Sequence, residues 1–119
     1  MDIELTNEIK QLKQMAAMYV KMAKFPMAEK VFEELIELER SEHGQFSNEV
    51  ARTTYDLAES LRRRDEHRRA KPLYEHAISI WERLKRLDLL TQADRSCYLD
   101  ASSVLRQYAA SSQQAECQA

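Results

Sequence analysis

Leu57-Ala58-Glu59-Ser60-Leu61, continued by Ala70-Lys71-Pro72-Leu73-Tyr74-Glu75-His76-Ala77-Ile78-Ser79-Ile80, decides the fold, because the same pattern stands earlier in the chain. At a constant spacing of 42 residues, Met15-Ala16, Tyr19, Phe25, Ala28, Val31-Phe32-Glu33, Ile36 and Leu38 answer to Leu57-Ala58, Leu61, His67, Ala70, Leu73-Tyr74-Glu75, Ile78 and Ile80. Small residues return where two helices have to approach closely, and large apolar ones return around them at steps of three and four. Such a period marks a stacked helical array, whose units bury their apolar faces only against their neighbours.

Composition points the same way. One glycine and two prolines in 119 residues leave few places for β-turns, where roughly 7% and 5% are usual. Long helices with short connections follow. The length suits one domain with its own core. Eighteen basic residues nearly cancel twenty acidic ones, so global charge argues for neither nucleic acid nor an anionic membrane surface. No apolar run approaches the roughly 18 residues that span a bilayer, and Met1-Asp2-Ile3-Glu4-Leu5 lacks the basic start and apolar stretch of a signal peptide. Cys97 and Cys117 have no metal-ligand companions at useful spacing, and a reducing, cytoplasmic setting is expected.

Five helices are predicted, at about 3–23, 26–41, 47–64, 67–87 and 91–111, forming one domain over residues 1–111, with 112–119 as a flexible polar tail. The first carries Leu5, Ile9, Leu12, Met15-Ala16, Tyr19 and Ala23 as its core stripe. Pro26 suits the opening turn of the second, where its missing N–H is not needed. Gly44 follows the end of that helix and Ser47 is placed to cap the third. Asp65 falls where a positive φ is expected. Pro72 is read as lying near the first turn of the fourth helix. Trp81 is expected to pack on the fifth helix, whose stripe is Leu90, Ala93, Cys97, Ala101, Val104 and Tyr108. The order is two helix pairs and a lone fifth helix that caps them.

The stretch Leu57 to Leu61 with Ala70 to Ile80 resembles a tetratricopeptide repeat, and more narrowly the 42-residue variety of kinesin light chains. That variety reads LA-x-LY, a Gly-aromatic turn and EAE-x-LYERAL-x-I; its linker is matched here by Gly44, Val50 and Ala51. The turn glycine is replaced by Ala23 and Asp65, and the linker prolines are missing. The resemblance implies an all-α, right-handed superhelix of antiparallel helix hairpins, with two full repeats and a capping helix. It also implies a concave groove, lined by the first helix of each pair, that takes a protein or peptide ligand. Carried over by position, the groove residues are Lys10, Lys13, Gln14, Ala17, Val20 and Lys21 of the first helix, Arg52, Tyr55, Asp56, Glu59, Arg62 and Arg63 of the third, and Arg95, Tyr98 and Ser102 of the fifth. Tyr55 is the expected aromatic anchor. The cations among them suggest an acidic ligand. The carboxylate clamp of chaperone-binding relatives is not expected, since Ala17 and Asp56 stand where it needs asparagine.

Two other roles are visible. Met15, Met18, Met22 and Met27 concentrate around the first helix, and methionine is common on adaptable binding surfaces, so homo-oligomerisation through that edge is an alternative. Arg62-Arg63-Arg64 with Arg68-Arg69 offers a phosphate-binding corner, but Asp65, Glu66 and His67 interrupt it, and a solvated corner is the favoured reading. His43, His67 and His76 form no pair at ligand spacing and Cys97 lies on an apolar stripe, so neither catalysis nor a metal or cofactor is expected. His67 stands where the family prefers an aromatic and is assigned to packing.

Overall fold

A computed structural model describes residues 3–118, with side chains from 3 to 111. Five helices follow one another: α1 (Ile3–Lys21), α2 (Phe25–His43), α3 (Asn48–Arg63), α4 (His67–Arg86) and α5 (Gln92–Gln118). The described residues contain no strand. α1 packs on α2 and α3 on α4, α2 joins the pairs through α3, and α5 lies against α4 and α3. The outline is 55 × 37 × 19 Å; the short dimension equals about two helix diameters of 10 Å, so the array is two helices thick.

Each hairpin closes with the same turn. Ala23 (φ 58°) and Asp65 (φ 60°) are left-handed residues 42 positions apart. The N–H of Lys24 donates to the Tyr19 carbonyl at 2.8 Å, and the N–H of Glu66 to the Leu61 carbonyl at 3.0 Å. Ala23 and Asp65 donate to the carbonyls of Val20 and Arg62, both at 3.0 Å. These paired bonds end a helix by satisfying its last carbonyls around a left-handed residue. Asp88 (φ 58°) ends α4 in the same way, with Leu89 donating to Leu84. Glycine is the usual residue at such a position, but here Ala23, Asp65 and Asp88 adopt it. The actual Gly44 (φ 92°) follows α2 as expected, and the Ser47 side chain accepts the Val50 N–H at 3.2 Å to cap α3.

Alanines set the helix spacing. Ala16, Ala28, Ala58 and Ala70 are all essentially inaccessible, and they are the small residues of the repeat. Around them lie Leu12, Val31, Phe32 and Leu35 in the first hairpin and Leu57, Leu61, Tyr74, Ala77 and Ile80 in the second. Each large side chain so buried contributes about 1.5–3 kcal/mol, which holds helices whose own propensities are marginal.

Trp81 is fully buried, its ring edge-on to Tyr98 of α5 (6.3 Å between centroids) and tilted against Tyr55 (5.9 Å). The expected packing on α5 is therefore present. α5 is also held by the Tyr55 hydroxyl donating to Asp100 at 2.5 Å, by Asn48 Nδ2 donating to the Leu89 carbonyl at 3.0 Å, and by a 2.8 Å contact between His67 Nδ1 and the Tyr108 hydroxyl. His67 thus packs, ring edge against Tyr108.

Some expectations need correction. Met15 is 38% exposed rather than in the core, because α1 packs chiefly on α2 and leaves that flank open among the described residues. Ala23 is exposed and belongs to the turn, so the stripe of α1 stops a turn earlier. Pro72 is the sixth residue of α4, inside the helix, where its missing N–H leaves the Arg68 carbonyl without a helical partner. α5 continues to Gln118, through the stretch expected to form a tail. The side chains from 112 onward, Cys117 included, lie outside the described residues.

Candidate binding groove

The face between α1 and α3 opens into a groove of about 1060 Å3. α1 contributes Lys13, Ala17, Val20 and Lys21, and α3 contributes Arg52, Tyr55, Asp56, Glu59 and Arg63. These are nine of the positions named from the resemblance. The floor comes from α2, through Phe32, Leu35 and Glu39, and one end is closed by Thr91, Ala93 and Asp94 at the start of α5. The other named residues stand elsewhere. Lys10 and Gln14 are exposed outside the groove. Arg62 is drawn away by two bonds to Glu59, the shorter 2.8 Å, and one of 3.0 Å to the Tyr74 hydroxyl. Arg95 and Tyr98 do not line it, since Tyr98 turns to Trp81 and lies under Lys85. Ser102 is bonded to the Tyr98 carbonyl on α5 itself.

Tyr55 reaches the groove, but its hydroxyl is committed to Asp100 and its ring rests against Tyr74 and Trp81. Burial and that hydrogen bond raise its pKa. Its ring offers a fixed wall rather than a free anchor.

The groove lining carries both signs of charge in nearly equal number. Four cations line the groove, Lys13, Lys21, Arg52 and Arg63, against five carboxylates, Glu39, Glu49, Asp56, Glu59 and Asp94. The preference for an acidic ligand rested on counting exposed positions of α1 and α3, and it overlooked the floor. Glu39 has a side chain only 1% exposed. One of its oxygens accepts from the Thr53 hydroxyl, while Oε2 has no hydrogen bond and its nearest cation, Lys13 Nζ, is 4.0 Å away. Asp94, 4% exposed, repeats this arrangement: Oδ1 has no hydrogen bond and stands 3.7 Å from Arg52. Trp81 Nε1 is itself without a hydrogen-bond partner by geometry, although its N–H lies close enough to favour the Asp94 anion.

Burial raises the pKa of Glu39, with Glu49 adding to it and Thr53 and Lys13 opposing. Asp94 is raised for the same first reason, against the pull of Arg52. Asp56 is pushed up to about 6, by desolvation first and then by Glu59 and Asp94. Its carboxyl remains accessible; the concave walls displace much of the water around it without sealing it off.

Glu39 and Asp94 were missed in the sequence, though a signal was there. Glu39 sits four residues after Leu35 and seven after Phe32, on the apolar stripe of α2, and at the repeat position that Trp81 fills in α4. A charged residue on a buried stripe marks a special environment.

The arginine corner is largely neutralised. Arg64 pairs with Glu29 (3.6 Å) and Glu66 (3.3 Å), Arg69 pairs with Glu66 (3.0 Å) and also with Glu29, and Arg62 with Glu59. Glu29 belongs to α2, so these pairs tie one hairpin to the next. The half-buried thiol of Cys97 has its pKa raised by burial, away from thiolate chemistry.

No helix is long and apolar enough to cross a membrane among the described residues. No curated protein matches the chain. The tetratricopeptide repeat family model matches residues 8–83, the span from α1 through most of α4 that contains both turn-matched hairpins, and the chain belongs to that family.

Proposed function

We propose that this protein is a non-catalytic interaction module that holds a peptide segment of another protein in the groove between α1 and α3. Tetratricopeptide repeats are in general scaffolds for protein–protein interaction. The observation that carries the reading here is the groove itself: an open concavity with apolar Ala17 and Val20 on one wall and charged side chains on the other. It offers the apolar contact and the fixed polar groups that peptide recognition uses. Two repeats make a short groove, so modest affinity is expected unless several copies act together. A cytoplasmic setting goes with this reading, Cys97 being a free thiol.

The test fills the groove. Ala17 is exposed and lines it, so Ala17→Trp adds bulk without entering the core. Random twelve-residue peptides selected on the wild-type protein should bind Ala17→Trp at least tenfold more weakly. Peptides bound equally well by both proteins would move the site elsewhere.

A second reading has its own observation. Ile3, Met15, Met18 and Met22 are exposed on α1, at 76%, 38%, 49% and 52%, an apolar edge suited to self-association. Light scattering over a wide concentration range decides it, and a strict monomer removes it. The arginine corner supports no comparable proposal for nucleic acid, because most of its charge is already paired.

A further inference from the structure

The groove's charge is unevenly distributed along its length. Lys21 and Arg63 are the last residues of α1 and α3, whereas Glu49 is the second residue of α3. Fourteen residues of helix separate Glu49 from Arg63, roughly 21 Å at 1.5 Å per residue. That exceeds two Debye lengths of about 8 Å at physiological salt, so the two cations at the far end do little for the carboxylates at this one.

At the near end Glu39, Glu49, Asp56 and Asp94 face Lys13 and Arg52, with His43 also acting on Glu39. Both cations are more than half exposed, at 55% and 57%, and they stay 4.0 and 3.7 Å from the buried oxygens without hydrogen-bonding them. A buried carboxylate oxygen without a donor is costly, and native structures rarely leave one so. Here the two residues that carry such oxygens, from different helices, both line this groove, the oxygens lying just beneath its surface. Their own fold supplies donors only in part: the Thr53 hydroxyl for Glu39, and the Trp81 N–H beside Asp94, which leaves Oδ1 without a hydrogen bond. The Thr91 hydroxyl oxygen caps α5 by accepting the Asp94 N–H at 3.2 Å, and its O–H also favours the Asp94 anion, but Oδ1 is left without a hydrogen bond.

We infer that this end of the groove is a seat for a cationic side chain, Arg or Lys, of the bound peptide, which supplies the missing donors between Glu39 and Asp94. A guanidinium is the better fit in principle, having five N–H donors in a planar fork that can serve two carboxylates. Lys13 and Arg52, long and largely in solvent, can swing outward as the guest enters. An acidic side chain at the same place adds a fifth carboxylate to the four and is rejected. This assignment rests on the groove being the peptide site.

The experiment follows backbone amide shifts of the 15N-labelled protein on titration with acetyl-Ser-Leu-Arg-Leu-Ser-amide and with counterparts carrying citrulline or Glu in place of Arg. Shifts at Asn48, Thr53 and Asp94 with the Arg peptide are expected, at least fivefold weaker with citrulline and absent with Glu. Glu39→Gln and Asp94→Asn, each checked for folding by circular dichroism, should each weaken the Arg peptide at least threefold, and Ala17→Trp should abolish its effect. Glu-peptide binding equal to that of Arg, blocked by Ala17→Trp, would overturn the cation seat and leave the groove reading standing. Arg-peptide binding unchanged in both carboxamide variants would also overturn the seat. Shifts that ignore Ala17→Trp, or no shifts with any of the three peptides, would overturn both.

Discussion

Replacing Glu39 by Gln should make the protein more stable at neutral pH, although it removes half of an ion pair. The carboxylate is almost wholly buried, and the effective cost of desolvating an ion is several kcal/mol. Against that cost stand two interactions. The Thr53 hydroxyl donates to it; Gln keeps that bond in neutral form, losing about 1 kcal/mol. Lys13 is 4.0 Å away and mostly in water, a pair that contributes at most about 1 kcal/mol. The Gln amide N–H then occupies the place of Oε2, which has no hydrogen bond, and an unpartnered buried donor costs about 1–3 kcal/mol. About 1 kcal/mol remains in favour of Gln, which raises the urea midpoint by about 0.5 M at pH 7.5. The pH dependence is the sharper readout. The folded pKa of Glu39 lies above its ordinary 4.5, so the folded state holds this proton more tightly than the unfolded one. Its favourable contribution is full below that ordinary value and is lost as pH rises through the folded pKa. The advantage of Glu39→Gln must therefore shrink towards zero by about pH 4. A variant less stable than wild type at pH 7.5, or one whose gain is the same at pH 4, would refute this account of the groove floor.

Asp56 should contribute in the same sense, its stabilising effect fading from its ordinary 3.8 to about pH 6; Asp56→Asn should flatten the stability profile over that window in urea melts. Ala23→Gly relieves a left-handed alanine at φ 58°, and should stabilise by about 0.5–1 kcal/mol, a few degrees in a thermal melt. Trp81→Ala empties a fully buried site shared by α3, α4 and α5; a loss of about 3–5 kcal/mol is expected, with α5 amides losing hydrogen-exchange protection first. Tyr55→Phe removes the bond to Asp100 and should cost about 1 kcal/mol, visible in the same denaturation assay.

Much of the architecture could be read from residue spacing because a repeat states its own geometry twice. Ala16 with Ala58 and Ala28 with Ala70 could be recognised as helix contacts before any coordinate, and they are among the most buried residues of their hairpins. Ser47 and Gly44 act locally, through bonds to neighbours in the chain, so they too were legible. Met15 was misplaced for the opposite reason. Repeat alignment put it beside Leu57, but burial depends on what packs around a helix: α3 is packed by α2, α4 and α5, α1 chiefly by α2. Pro72 was misplaced although the helix start at 67 was read as the structure has it: it is the sixth residue of α4, in the second turn.

Among the site residues, helix and face were legible while engagement was not. Lys13, Ala17, Arg52 and Asp56, chosen by position along α1 and α3, line one concavity. The Glu59–Arg62 pair, three residues apart on α3, follows from helical spacing, but nothing in the spacing says that the Tyr74 hydroxyl holds Arg62 from α4, across a turn. The sequence by itself determined the helices, their pairing and the turns between them, since these follow from periodicity, small-residue positions and capping over short stretches of chain. Only the tertiary structure decided the charge of the groove. That charge comes from Glu39 on α2 and Asp94 on α5, fifty-five residues apart, whose carboxylates acquire their character from burial, and burial is a property of what surrounds a residue rather than of its neighbours in sequence.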